Sequence, residues 1–246
     1  AIVARATNSE VYENWTDVPG FLMADPRIVD GPRRIDEVTY QELRELSYMG
    51  ATVLHDEAIY PVREPRIPIQ IRSTRVRENP GTRIVSDRIS THPLCGIAGK
   101  KGFTMLNIEK TLMNHERGFG RKVLAAAEEL GIGWEHMPTG IDTISLIFRD
   151  EELGSMGEKL METINQRCQP DSIGLAPGLA MIATVGQGMN HHIGVAARLF
   201  TALSEANVNI RVIDQGSSEM NIIVGVEEEA LERAVNAIYR AFESWD

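Results

Sequence analysis

Two polar pairs flank a Pro-Gly turn near the start of the sequence. Thr16 and Asp17 precede the turn, and Asp25 and Arg27 follow it in an Asp-Pro-Arg tripeptide. Hydroxyl, carboxylate and guanidinium groups gathered at one turn suit the ribose and phosphates of a nucleotide. The chemistry alone favours a simpler interpretation, in which the segment is a polar loop closed by an internal Asp–Arg ion pair.

A second polar group lies where a strand pattern gives way to a helix pattern. Its residues are Met113, Glu116, Gly118, Phe119, Trp134 and Glu135. Free backbone N–H groups and the helix dipole favour a carboxylate at such a helix start, and Glu135 on the next strand pattern could take an ammonium. The group therefore outlines a site for an amino acid, which carries both charges. In the simpler interpretation Met113 and Phe119 are core residues and Glu135 is a solvated strand residue.

The adjacent histidines His191 and His192 do not predict a metal site. Neighbouring side chains point in different directions, and no carboxylate or cysteine is suitably spaced. This segment follows Asn190 in a later part of the chain that resembles the second polar group. Because Arg211 stands there in place of the acidic residue, we do not expect a second, identical amino-acid site.

The composition excludes several functional classes. The 246 residues carry a formal net charge of -10 with no long basic run, which argues against nucleic acid as a partner. No apolar run approaches the roughly 20 residues of a membrane helix. Cys95 and Cys168 have the spacing of neither a zinc site nor a disulfide framework. We expect a soluble cytoplasmic protein with two reduced, structural thiols and no membrane partner.

The first 90 residues are typical of the end of a larger α/β domain. They contain one clear helix pattern, Thr39 to Met49, and one alternating strand pattern, Ile67 to Ile71. So few elements cannot cover both faces of an α/β sheet by themselves.

An internal repeat with a spacing of 76 residues follows. It aligns Gly118 with Gly194 and Gly140 with Gly216. Each copy predicts a strand, a helix, two strands and a second helix. The predicted strands are 103–108, 132–137 and 143–148 in the first copy, and 181–185, 208–213 and 220–226 in the second.

Only the first copy closes with a further strand pattern, at 172–176. An unpaired strand pattern at 94–98 precedes it, and an open sheet edge is a liability, so this early strand most simply completes the sheet of the second copy. We therefore predict an α+β fold with two ferredoxin-like βαββαβ units. Residues 101–178 form the first unit, which is inserted in the second, formed by 91–100 and 179–246. The alternative is two independent units with a frayed end.

Several segments together resemble the aspartokinase family. They are the WTDV and ADPRIV motifs within 15–29, the segments 40–55 and 67–82, and the later GSSEMNI motif at 216–222. The resemblance implies that residues 1–90 are the C-terminal remnant of an amino-acid-kinase catalytic domain and that the two units are ACT domains. It also implies nucleotide binding at Thr16, Asp17, Asp25 and Arg27. Leu22 and Thr52 depart from the family pattern, where many members have an aromatic residue and a lysine.

The resemblance implies the regulatory part of an enzyme that uses ATP and Mg²⁺ to phosphorylate L-aspartate to 4-phospho-L-aspartate, the first step towards lysine, threonine and methionine. It implies an amino-acid effector at the second polar group. Lysine is expected because lysine-sensitive members also have an acidic residue on the strand, and threonine is the alternative. The competing function is a free-standing amino-acid sensor without kinase activity, which would have no use for an incomplete kinase domain. A ferredoxin-like RNA binder would need exposed aromatic residues and a basic face, which the central strands lack.

The family's Lys-Gly-Gly phosphate segment and its aspartate-binding residues have no counterpart in this sequence. We therefore expect no catalytic residue, no cofactor and no kinase activity in these 246 residues alone. ACT units usually pair side by side, and the apolar strand patterns 103–108 and 181–185 suit that arrangement. We expect at least a dimer.

Overall fold

Two β-sheets organise the chain. The computed structural model describes residues 1–51, 54, 59–90 and 92–243, so the expectations for positions 52, 53, 55, 91 and 244–246 lie outside the described residues. The elements before residue 90 are α1 (Ile2–Ala6), β1 (Tyr12–Thr16), β2 (Glu37–Thr39), α2 (Tyr40–Tyr48), α3 (Tyr60–Arg63), β3 (Ile69–Ser73) and β4 (Thr82–Val85).

The first sheet has the strand order β1-β3-β4-β2 within the described residues. Strand β1 runs parallel to β3 and β2 runs parallel to β4, whereas β3 and β4 are antiparallel. Helix α2 confirms the predicted helix pattern and begins with a capping box, in which the Thr39 side chain accepts from the Glu42 N–H and the Glu42 carboxylate accepts from the Thr39 N–H. Its apolar residues Leu43 and Leu46 are buried.

The second sheet has the order β6-β5-β7-β9-β8 in the described part of the chain. Its strands are β5 (Gly96–Glu109), β6 (Thr143–Arg149), β7 (Ser172–Val185), β8 (Val212–Asp214) and β9 (Asn221–Glu227). The helices around it are α4 (Phe119–Glu129), α5 (Asp150–Leu153), α6 (Gly157–Cys168), α7 (Val195–Glu205) and α8 (Leu231–Glu243), with short 3₁₀ helices at Met113–His115, Gln187–His191 and Glu228–Ala230.

Two long strands, β5 and β7, run through both halves of the second sheet. Residues 96–98 of the predicted strand 94–98 and the whole predicted strand 103–108 are parts of β5, and 172–176 and 181–185 are parts of β7. The register shifts after Lys101, and Gly102 and Gly178, 76 residues apart, both have positive φ, at +89° and +80°. Before the shift, Gly96–Lys101 pairs with Ala180–Val185. The early strand therefore adds to the sheet of the second copy, and both copies share one continuous sheet.

The predicted strand 132–137 is wrong. Within this stretch the structure has only an isolated bridge between His136 and Ile147, and a second bridge joins Thr139 to Ile144. Glycine weakens a strand and proline cannot donate to a ladder, so Gly131, Gly133 and Pro138 account for the irregular backbone. The corresponding strand of the second copy is also shorter than predicted, because only Val212–Asp214 is regular.

Both faces of the second sheet are covered. On one face Leu146 and Phe148 pack with α4 and α6, while Ile182 and Val224 pack with α7 and α8. On the other face Ile147, Met181 and Ala183 belong to the same buried cluster as Leu43 and Leu46 of α2. No described helix is long and apolar enough to cross a membrane.

The Gly102 and Gly178 positions generate a stability prediction. Gly178→Ala should reduce the free energy of unfolding by about 1–2 kcal/mol, because a residue with a Cβ is disfavoured at positive φ. Gly174→Ala is the matched control in the same strand, because Gly174 lacks a positive φ and a Cβ there would meet nothing within 4 Å. It should change stability by less than about 0.5 kcal/mol. Urea denaturation of both variants tests this, and equal losses would contradict the strain argument.

Candidate functional site

Thr16 and Asp17 lie at the carboxyl end of the parallel pair β1 and β3. The N–H of Thr74, just after β3, donates to the Thr16 carbonyl at 2.8 Å, and the Thr74 hydroxyl donates to the same oxygen at 3.0 Å. The Arg75 guanidinium lies 3.6 Å from the Asp17 carboxylate, with both side chains exposed. Ligands of α/β sheets bind outside the carboxyl ends of the strands. This edge thus holds a hydroxyl, a carboxylate and a cation where a phosphate group could reach them.

Asp25 and Arg27 form an ion pair with each other. The Arg27 guanidinium donates to both carboxylate oxygens, with the shorter distance 2.6 Å, and the Arg27 N–H donates to Asp25 Oδ1 at 2.9 Å. These bonds hold the pKa of the Asp25 carboxyl below its usual range. The neighbouring Ala24 and Val29 pack in the core of the second unit. The internal pair of the simpler interpretation is therefore present.

Met113 and Phe119 are buried in the core of the first unit, next to the start of α4. Gly118 caps this helix with φ +80°, and Gly194 caps α7 with φ +95°. The Glu116 and Phe119 N–H groups already donate to the carbonyls of Met113 and Glu116, at 3.0 and 3.2 Å. These two donors, part of the expected carboxylate site, are thus engaged within the loop.

Glu116 lies between two lysines. Its carboxylate oxygens are 2.6 Å from Lys110 Nζ and 2.6 Å from Lys122 Nζ. The hydrogen bonds from Lys110 and then Lys122 lower the pKa of Glu116. Lys110 Nζ also lies 5.4 Å from the centre of the Phe119 ring. This helix start therefore carries a net positive group of side chains, which sequence reasoning missed and which favours an anionic ligand group.

Glu135 is neither solvated nor on a regular strand. Its side chain is 9% exposed, and Oε1 lies 2.7 Å from Arg149 Nε. Arg149 in turn stacks over the ring of Tyr48 in α2 at 4.7 Å. Partial burial, followed by a hydrogen bond to the Glu135 carboxylate, raises the pKa of Tyr48. Among the described residues no hydrogen-bond partner of good geometry reaches the buried Oε2 atom of Glu135.

The structure does not bring Glu135 together with Met113 and Phe119. The Glu135 N–H donates to the Ile147 carbonyl, and Ile147 pairs with Met105 in β5. Met105 is four residues before the end of β5, or about 13 Å along the strand. Arg149 and Ile147 share the face of the sheet that α2 covers, opposite α4. The single pocket expected from the sequence is therefore divided, because α4 returns the chain to the other end of the sheet before residue 135.

The remaining expected residues have other surroundings. Trp134 is 44% exposed. Arg211 forms an ion pair with Glu227 in the second unit. The described residues bring no three His, Cys, Asp or Glu side chains together as a metal site. His136, next to Glu135, lies 2.8 Å from Asp214 of β8. The 134–136 segment therefore contacts the second unit through His136, and through Glu135 it contacts Arg149, which stacks on Tyr48 of α2.

These features define a class of protein: the end of an amino-acid-kinase domain followed by ACT units. The amino acid kinase family profile matches residues 1–73, and an ACT domain profile matches residues 182–242. Aspartokinase 3 of Bacillus subtilis is 42% identical over 244 residues, which cover 98% of this chain and 54% of that protein. Along nearly all of its length the chain is similar to aspartokinases, and it spans about half the length of this relative.

Solved structures of aspartate kinases are also similar to this chain. The crystal structure of Clostridium acetobutylicum aspartate kinase has 53% sequence identity and a TM-score of 0.94, covering 98% of this chain and 56% of that one. E. coli aspartokinase III in complex with lysine and aspartate, in the T-state, has 25% identity and a TM-score of 0.79, covering 98% and 53%. The same E. coli protein in complex with aspartate and ADP, in the R-state, has 26% identity and a TM-score of 0.83, covering 98% and 54%.

The ion pairs of Glu116 with Lys110 and Lys122 predict that the stability of the protein depends on pH. The folded pKa of Glu116 lies below its ordinary value of 4.5, so the stabilisation is fully present above that value and is lost as pH falls through the folded pKa. Lys110→Met should raise this pKa more than Lys122→Met does, because Lys110 is the larger cause. NMR titration of the Glu116 carboxyl carbon measures both shifts.

Glu129 serves as the internal control of this titration. Its pKa is lowered by Arg167, on a different part of the first unit, so it should titrate identically in the three proteins. An unchanged Glu116 pKa in both lysine variants would show that the ion pairs are absent in solution.

Proposed function

We propose that this chain is the C-terminal regulatory part of an aspartokinase, the enzyme that transfers a phosphoryl group from ATP to the side-chain carboxylate of L-aspartate. The observation that supports this most directly is the continuous likeness to aspartokinases along 98% of the chain. The likeness includes the kinase-derived sheet, which argues against the alternative of a free-standing sensor. The chemistry would supply 4-phospho-L-aspartate to the synthesis of lysine, threonine and methionine.

We propose lysine as the effector, with threonine as the alternative. The buried Oε2 atom of Glu135 has no good hydrogen-bond partner in the described residues, and buried polar atoms in proteins are usually satisfied. An ammonium group of the effector would satisfy it. E. coli aspartokinase III, in the structure with lysine and aspartate, offers a precedent for lysine as a ligand.

The effector carboxylate belongs at the start of α4 in this proposal. Lys110 and Lys122 make that position cationic, and Gly118 leaves its surface open. A single copy holds this position far from Glu135. We therefore propose that two copies associate, so that Glu135 of one copy acts with the Met113–Phe119 segment of the other. The exposed apolar side chains Leu112, Trp134 and Ile141 of the first unit support such a contact.

Self-association cannot use β5 and β7 as expected from the sequence, because both strands are central in the sheet of one chain. The outermost strands of this sheet in the described residues are β6 and β8, and the 135–140 segment already hydrogen-bonds along β6. We propose a dimer formed through the β6 side, where the exposed side chains of Trp134 and Ile141 flank this segment.

For the nucleotide we propose contacts from Thr16, Asp17 and Arg75 at the ends of β1 and β3. Asp25 and Arg27 contribute only if their ion pair opens. Magnesium would enter with the nucleotide phosphates, and we assign no described residue to it. A cytoplasmic location is part of the proposal, since Cys95 and Cys168 are free, buried thiols.

Calorimetric titration tests the effector site. Wild-type protein should bind lysine, and Glu135→Ala should weaken binding about 30-fold or more, because the ammonium loses its buried partner. Glu128→Ala, an exposed glutamate of α4, should leave the affinity unchanged. Equal binding by wild type and Glu135→Ala would refute the assignment of Glu135, and absence of binding by both lysine and threonine would refute the effector proposal.

Light scattering tests the association. We expect at least a dimeric mass at micromolar concentration, with lysine shifting the equilibrium further to the dimer, because a ligand held by two copies stabilises their complex. Trp134→Glu should favour the monomer by placing a charge in the contact. A monomeric mass for wild type with and without lysine would contradict the proposed shared site.

A further inference from the structure

Glu42 is a fully buried carboxylate, 0% exposed, that the nucleotide and effector proposals do not use. Its Oε2 atom accepts hydrogen bonds from the Thr39 N–H at 2.9 Å, the Thr39 hydroxyl at 3.0 Å and Arg88 Nε at 3.0 Å. Its Oε1 atom accepts from Arg88 Nη2 at 2.6 Å and from the Gln187 N–H at 2.8 Å. One carboxylate therefore joins α2, the linker after β4, and the segment after β7.

The contacts exceed what a helix cap requires. A capping box needs only the exchange of hydrogen bonds between Thr39 and Glu42. Here the donors from Arg88 and Gln187 come from residues 46 and 145 positions away in sequence. Burial of a charge is costly unless it is paired and hydrogen-bonded, so the arrangement is stable only while all three segments stay in place.

The segment that Glu42 holds is packed directly on the linker. A Cβ at Gly186 would lie 2.1 Å from the Pro93 carbonyl oxygen, and a Cβ at Gly188 would lie 2.3 Å from the His92 carbonyl oxygen. Gln187, between these glycines, is the first residue of the 3₁₀ helix that leads to Gly194 and α7. By the 76-residue repeat this is the counterpart of the Met113–His115 segment that leads to α4.

We infer that Glu42 is a positioning residue that couples the kinase-derived helix α2 to the helix start of the second ACT unit. Displacing the Gln187 segment removes a hydrogen-bond donor from a buried carboxylate, so α2 and the linker must respond. Coupling of this kind is reciprocal, so a disturbance of α2 must also reach Gln187. The regulatory consequence, that effector binding at the ACT units moves α2, rests on the proposed function, whereas the coupling itself is a property of the chain without ligand.

A proline substitution disrupts the contact between Gln187 and Glu42, because it replaces the donor N–H with a ring Cδ directed at Glu42 Oε1. Gln187→Pro removes the N–H that donates to Glu42, at a first-turn position where proline is tolerated, and the preceding Gly186 is extended, as a residue before proline prefers. Gln187→Ala is the matched control, because it removes the side chain and keeps the N–H. Hydrogen exchange of both variants without any amino acid measures the effect on α2.

In Gln187→Pro the amides of Leu43 to Tyr48 in α2 should exchange at least about 10-fold faster than in Gln187→Ala, while the amides of α4 remain unchanged. The reverse experiment uses Glu42→Gln, which should accelerate exchange of the Gln187 amide by a similar factor. Glu45→Gln is its control on the same helix, since Glu45 accepts one bond, from Asn221 at 2.7 Å, that glutamine can also accept.

Two outcomes would overturn the inference. Equal exchange in α2 for Gln187→Pro and Gln187→Ala would show that the hydrogen bond carries no coupling. Equal acceleration of α2 and α4 would show only a general loss of stability. Neither outcome depends on whether lysine binds, so failure of the effector proposal in calorimetry and failure of the coupling in hydrogen exchange are separate results.

Discussion

The antiparallel pair β5–β7 is the constraint on which the second sheet depends. Each strand contributes 14 residues, and the two remain paired from Gly96 and Val185 at one end to Glu109 and Ser172 at the other. Because β6 adds to one side and β9 to the other, the two ACT units cannot separate without breaking this pair. The register shift at Gly102 and Gly178 allows one pair of strands to serve both units.

Because the two units share β5 and β7, their helices and the kinase-derived residues pack on one common sheet. The helices α4 and α6 cover one half of a sheet face and α7 and α8 cover the other half. The opposite face is closed by the kinase-derived residues, with α2 packed against both long strands. A helix in that position contacts the first unit through Tyr48 and Arg149 and the second through Glu42 and Gln187. The arrangement places one element of the kinase domain where it can respond to either unit.

The charged groups at the two helix starts also differ between the first and the second unit. In the first unit, Glu116 is partly exposed and pairs with two lysines, which leaves a net positive charge beside an open helix start. In the second unit, the corresponding segment lies against the linker and donates a backbone hydrogen bond to a buried carboxylate. Two copies of one supersecondary unit have therefore acquired different surroundings. One retains an accessible cationic surface that suits a ligand, whereas the other is committed to packing against the rest of the chain.

The sequence by itself determined the two units and most of the helix and strand patterns that build them. The 76-residue repeat, the helix pattern of α2 and the unpaired strand pattern at 94–98 correctly indicated a fold in which an early strand joins the second copy. These features are local, since periodicity and turn residues act within a few positions. Only the tertiary structure decided where Glu135 and Glu42 lie. Glu135 is separated from Met113 by the path of α4 and by the pleat that sends neighbouring side chains to opposite faces, and Glu42 meets Gln187 across 145 residues. Such pairings depend on sheet register and on packing between units, which residue types and spacing do not specify.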